Sequence, residues 1–247
     1  DRRGKNIVLN HYGKLFLQHV ERAMQEIVDG KQMIQDLLHP DRGSVSLSFL
    51  HSLGSNFVPG LLSKFLSHNP DIQFKLFQNA TKFLLEQLNA GEIDLCLCSP
   101  FKITENIEWK PLFAEELFLI VPIGHRLAER TSITLDEIKD EPLVTFKKDY
   151  GLRILADHLF KEAGINPFIT FEGEEIVTVA GLVEAKLGVA LIPHVSGLDK
   201  TNIAFLPISK PTCQRIIGMA WTKGIYLSPA AQKFKNFVLN EFRLFFY

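Results

Sequence analysis

Several short polar runs in this sequence stand where an alternating apolar run gives way to a helical one, the joints at which an α/β protein can hold an organic anion. His51-Ser52-Leu53-Gly54-Ser55 is the first. It offers hydroxyls on either side of Leu53 and backbone N–H groups at a helix start, a combination suited to a carboxylate. Helix capping by Ser52 and Ser55 is the plainer alternative. Thr81 stands as N-cap of a later helix, where one hydroxyl can accept from the backbone and donate to a ligand. Ser99-Pro100 closes a strand, either as a cleft wall or as a simple turn.

A second group lies further along. Phe146-Lys147-Lys148-Asp149-Tyr150-Gly151-Leu152-Arg153 follows a strand and opens a helix, so that Phe146 and Tyr150 supply an aromatic wall and Arg153 a two-point clamp for a carboxylate. Lys147 and Lys148 read better as surface charge. Glu174, Glu175 and Ile176 begin another helix, where acidic side chains also suit the helix dipole. Pro193 ends the last strand of this half. No GxSxG, P-loop or HExxH occurs, and the eight histidines lack metal-ligand spacing. The expectation is therefore a binding protein, not an enzyme, with no metal and no cofactor.

These joints need strands and helices in alternation, and the pattern supplies them. Val45, Leu47 and Phe49 alternate with serines, 56–66 reads as a helix, Ile72, Phe74 and Leu76 as a strand, and 93–98 as a third strand. After an apolar strand at 116–122 the rhythm restarts. Thr134-Leu135-Asp136-Glu137 is a capping box, 143–146 a strand, 152–163 a helix ended by Gly164, 168–171 a strand, 176–186 a helix and 189–192 a strand. This repetition predicts two α/β units of similar size, each with a mostly parallel sheet. A strand at 215–221 and a helix opening at Ser228-Pro229 complete the chain, and periodicity leaves open which unit they join.

The 247 residues, 46% hydrophobic and 22% charged, suffice for one large or two smaller buried cores. No apolar run approaches the roughly 18 residues that cross a bilayer, and no signal-peptide pattern is present. The three cysteines form no CxxC and no paired framework, consistent with a reducing cytoplasm. Cys96 and Cys98 would share one strand face as small hydrophobes. A net charge of −1 argues against a surface that binds nucleic acid throughout, yet Arg2, Arg3, Lys5 and Lys14 crowd the start and are opposed only by Asp1. That patch fits phosphate contact or a solvated turn. Residues 6–9 alternate as a strand with no preceding partner, as if half of a basic hairpin. Asn10 then precedes a long amphipathic pattern over 14–38, interrupted by Gly30 at a cost of about 1 kcal/mol. Its stripe calls for a second copy of itself or for its own domain. The run 39–43 forms a hinge-like link.

Taken together, these segments resemble the LysR-type transcriptional regulators. The resemblance rests on the opening run through His11-Tyr12-Gly13, on Arg42-Gly43-Ser44-Val45, on Asn89-Ala90-Gly91-Glu92-Ile93-Asp94-Leu95 and on Val121-Pro122-Ile123-Gly124-His125-Arg126-Leu127-Ala128. Gly188-Val189-Ala190-Leu191-Ile192-Pro193 and Leu227-Ser228-Pro229-Ala230-Ala231 extend it over nearly the whole chain. Phe77-Gln78-Asn79-Ala80-Thr81-Lys82-Phe83-Leu84 and Glu172-Gly173-Glu174 look closest to the Gram-positive glutamate synthase operon regulator. The resemblance implies an α/β fold like the type 2 periplasmic binding proteins, two Rossmann-like subdomains joined by two crossovers. Residues 1–13 would be the wing of a winged helix-turn-helix lying mostly outside this chain, and 14–43 a linker and dimerisation helix with its hinge. Residues 44–121 and 218–247 would form subdomain I, and 122–217 subdomain II. It further implies promoter DNA as partner, with Arg2, Arg3 and Lys5 in the wing, self-association as dimer or tetramer, and a cytoplasmic location away from membranes. A small effector, expected to be a carboxylate, would contact Ser52, Leu53, Ser55, Thr81, Ser99, Phe146, Tyr150, Arg153, Glu175 and Pro193. The rival reading is a transporter's solute-binding protein of the same two-lobed fold.

Overall fold

The computed structural model describes residues 2–3, 6–38, 41–99, 103–195, 197–198 and 201–242. Arg2–Arg3 (β1) pairs antiparallel with Asn6–Ile7 (β2), so the strand expected to lack a partner finds one within the chain, while Lys5, the first two hinge residues at 39–40 and Pro100 lie outside the described residues. Asn10 accepts a bond from the N–H of Gly13 at 2.8 Å and starts His11–Leu38 (α1), whose Phe16, Met24, Ile27 and Ile34 are exposed in the single chain.

Gly43–Leu50 (β3), Phe57–Leu66 (α2), Ile72–Asn79 (β4), Thr81–Asn89 (α3) and Leu95–Cys98 (β5) follow, with β3 parallel to both β4 and β5. The chain then runs through Ile107–Pro122 (β6), Ile133–Thr134 (β7), Pro142–Phe146 (β8), Gly151–Glu162 (α4), Phe168–Gly173 (β9), Ile176–Glu184 (α5), Ala190–Pro193 (β10), Ile203–Lys210 (β11), Gln214–Thr222 (β12) and Pro229–Glu241 (α6). The expected mostly parallel sheets are mixed instead. β12 runs antiparallel to β5 and β6, and β6 antiparallel to β10 and β11, because two long strands cross the molecule and each crossing reverses direction.

Two hydrophobic cores result. The first gathers β3, β5, α2 and α3 with Ile107 and Leu112 of β6, and α6 joins it through Phe234 and Val238. Phe234 is fully buried, meeting Phe65 edge-on with centroids 5.0 Å apart, and its burial contributes about 2–3 kcal/mol. The second core gathers α4, α5, β8, β10 and β11 with Leu117 to Val121 of β6, so it begins several residues ahead of the boundary expected at Val121. β6 is thus shared by both cores, while β12 leaves the second just after Cys213 and packs its buried residues in the first. Local signals read from the sequence recur in the structure: Ser228 Oγ accepts from Ala231 N–H at 3.1 Å, and the Thr134–Glu137 capping box closes a 3-10 turn. Among the described residues no helix is long and apolar enough to cross a membrane, and no cluster of three or more His, Cys, Asp or Glu is arranged to hold a metal ion.

Candidate functional site

A cavity of about 200 Å³ lies between the two cores, where the carboxyl ends of β3, β4 and β5 face the starts of α4 and α5. The first lobe contributes Ser52, Ser55, Thr81 and Ser99, and the second contributes Phe146, Tyr150, Leu152, Glu174, Glu175 and Ile176. Val195 and Leu198, after β10, close one side, and Arg215 enters from the crossing strand β12.

Three helices point their starts at this space. The N-cap residues of α3, α4 and α5 are Ala80, Tyr150 and Glu175, and none of these side chains accepts a bond from its own helix. Helix starts carry N–H groups without intrahelical partners and the positive end of the dipole, so those of α3 and α4 favour an anion, while Glu174 and Glu175 already bring negative charge to the start of α5. Thr81 is the first residue of α3 and not its N-cap as the sequence suggested, which frees its hydroxyl from capping. The residue is only 2% exposed, lines the cavity, and its Oγ1 has no hydrogen-bond partner among the described residues. Across from it is Gly151, where an added Cβ would come 3.7 Å from Thr81 Oγ1. The missing side chain there is part of what keeps the cavity open.

Arg215 is the cation that the sequence did not reveal. Its guanidinium is 5% exposed and bonds Glu115, its cross-strand neighbour on β6, through Nε at 2.8 Å. Nη2 bonds Glu115 as well and donates to Ser52 Oγ at 2.9 Å, while Nη1 has no bond among the described residues. One arginine therefore ties both crossing strands to the first lobe at the cavity wall. Ser52 is not a helix cap, since α2 starts later, after Asn56. Ser99 Oγ donates to Ile216 O at 2.8 Å, leaving its lone pairs toward the cavity.

On the second lobe Lys147 Nζ and Glu174 Oε1 are 2.5 Å apart. The contact holds the Glu174 carboxyl below its ordinary range and the Lys147 ammonium above its own. Burial, then the neighbouring Glu174, pushes the Tyr150 phenol up, so it stays a neutral donor.

Three expected contacts lie elsewhere. Leu53 is 1% exposed within the first core, and Pro193 is buried in β10, paired with Leu117. Arg153 is turned away from the cavity. Its Nε meets both oxygens of Asp157 at 2.9 and 3.0 Å, and Nη1 bonds Phe146 O at 2.9 Å and Glu172. Burial alone would favour the neutral form, but the bonds to Glu172 and Asp157 raise its pKa instead. Nε and Nη1 are thus engaged within the second lobe and the residue does not line the cavity, so it forms no clamp there. Arg153→Met is expected to cost about 2 kcal/mol of stability, because both carboxylate partners are partly solvated, and to leave ligand affinity unchanged. Thermal denaturation paired with ligand titration checks both halves.

Comparison with known proteins places these features. Residues 39–243 match the family described as "LysR substrate binding domain". Over 242 residues the chain is 49% identical to the "Uncharacterized HTH-type transcriptional regulator YybE" of Bacillus subtilis (strain 168), covering 98% of this chain and 83% of that protein. It is 36% identical over 246 residues to the "Transcriptional dual regulator GltC" of the same organism, covering 98% and 82%. Among solved structures, the effector binding domain of QuiR in complex with shikimate superposes with a TM-score of 0.79 at 35% identity, covering 83% of this chain and all of that one.

Proposed function

We propose that this chain, which belongs to the LysR family of transcriptional regulators, binds a small organic anion in the cavity between its two cores and passes that event to promoter DNA through α1. The observation that carries the reading is the meeting of helix starts not capped by side chains with the Thr81 hydroxyl, which lines the cavity and has no hydrogen-bond partner among the described residues. QuiR, whose effector binding domain is seen with shikimate, lends support to a carboxylate of metabolite size. The solute-binding rival draws no support from relatives that are named transcriptional regulators.

In this reading the ligand touches groups held by both cores, and the shared strand β6, with β12 paired along it, sets how the lobes lie relative to each other. A ligand shifts that geometry only by its difference in affinity for two arrangements. The apolar stripe of α1, exposed in the single chain, is covered by the same helix of a second copy, which fixes the spacing of two DNA-binding heads in the cytoplasm. Arg2, Arg3 and Lys5 meet DNA phosphates from the wing.

The test is a thermal-shift screen of this chain against organic acids, followed by a gel shift of the full-length protein on its own promoter. A ligand at 100 times its dissociation constant adds about 2.7 kcal/mol, roughly 5–10 °C for a chain of this size. Failure of the full-length protein to retard promoter DNA contradicts the regulator reading, and failure of every organic acid to raise the melting temperature contradicts the sensor reading.

A further inference from the structure

The two walls of the cavity differ in chemistry. Toward the first lobe they offer donors: the Thr81 hydroxyl, the start of α3, and the Arg215 guanidinium with its unbonded Nη1. Toward the second lobe they offer the carboxylates of Glu174 and Glu175, with Glu174 already paired to Lys147 and Glu175 standing at the start of α5. Between them Phe146, Leu152 and Ile176 are buried and apolar.

Resting on the sensor reading above, we infer that the ligand is a hydroxylated monocarboxylate on a compact apolar frame, its carboxylate against Thr81 and Arg215 and its hydroxyls donating to Glu175. The argument is one of exclusion as well as fit. A dicarboxylate long enough to span the cavity brings its second charge against Glu174 and Glu175, where no unpaired cation lines the cavity among the described residues. An α-amino acid places its ammonium beside its carboxylate, against the Arg215 guanidinium and the positive end of the α3 dipole, which oppose a second cation there. A hydroxyl, by contrast, donates to a carboxylate in a charge-assisted bond that a bare hydrocarbon ring cannot make.

Isothermal titration of the chain tests this with four kinds of probe: the hydroxylated acids shikimate, quinate and gallate; cyclohexanecarboxylate, which lacks hydroxyls; glutarate, with two carboxylates; and glutamate. The tightest hydroxylated acid is expected to exceed each of the other three probes by about tenfold or more. Glu175→Gln removes that advantage and leaves cyclohexanecarboxylate where it was. Thr81→Val weakens the hydroxylated acids and cyclohexanecarboxylate alike, by about tenfold. If glutarate or glutamate binds as tightly as the best hydroxylated acid while Thr81→Val still weakens it, the ligand class is wrong and the sensor cavity stands. If no probe binds, or Thr81→Val changes no affinity, the class and the cavity reading both fall.

Discussion

Gly218→Ala is expected to lower the unfolding free energy by about 3 kcal/mol, roughly 6–12 °C in melting temperature, with thermal denaturation as the measure. Gly218 sits on β12 opposite Pro111 of β6, at the point where the register of the two crossing strands shifts. An added Cβ would lie 2.4 Å from Lys110 O and 2.3 Å from the nearest atom of the Trp109 ring. The first of these is backbone and cannot swing away. The Trp109 indole is also tied down, donating to Cys98 O at 3.3 Å. Relief therefore requires separating β12 from β6, the strand both cores share. Arg215 lies three residues before Gly218 on that strand, so ligand affinity should fall with stability in this variant.

Arg215→Met separates the two effects. The substitution keeps the length of the stem, and it is expected to weaken binding of organic anions by about tenfold to a hundredfold, the worth of one to two charge-assisted bonds. It also leaves the Glu115 carboxylate, only 20% exposed, without its cation. Loss of one partner from a fully buried pair costs about 3–5 kcal/mol, and Glu115 retains some solvent, so about 2–3 kcal/mol is expected here. Titration of the folded variant, paired with its melting curve, distinguishes a ligand contact from a purely structural brace: a brace alone would lose stability and keep affinity.

Sequence and structure agree where the signal is local. Ser228-Pro229 and the Thr134–Glu137 box act within one turn, so type and spacing suffice to find them. The site loops after β3 and before α4 were legible for the same reason, and Ser52, Ser55, Thr81, Ser99, Phe146, Tyr150 and Glu175 do come together at one cavity. Arg215 was not legible, because its bond to Ser52 spans 163 positions and an arginine inside an alternating strand reads as an outward, solvated side chain. Arg153 was misread for the opposite reason. Proximity of a cation to a helix start suggests a clamp, but Asp157 one turn later and Glu172 across β9 satisfy it first. The two longest missed stretches of strand, the first half of β6 and all of β11, contain a proline, Pro111 and Pro207, and proline argues against a strand until a register shift or a pairing gap accommodates it.

The proposed occupancy of the space between Thr81 and the start of α4 by an organic anion can be blocked by a single substitution. Gly151→Leu tests it most directly, since a Cβ there reaches ordinary contact with Thr81 Oγ1 at 3.7 Å and the rest of the side chain extends into the cavity. Titration of this variant with the tightest acid found for the unaltered chain should show a cooperative melting transition within a few degrees of the original and no measurable binding. A folded Gly151→Leu protein that binds the same acid with unchanged affinity would place the ligand elsewhere and contradict the account.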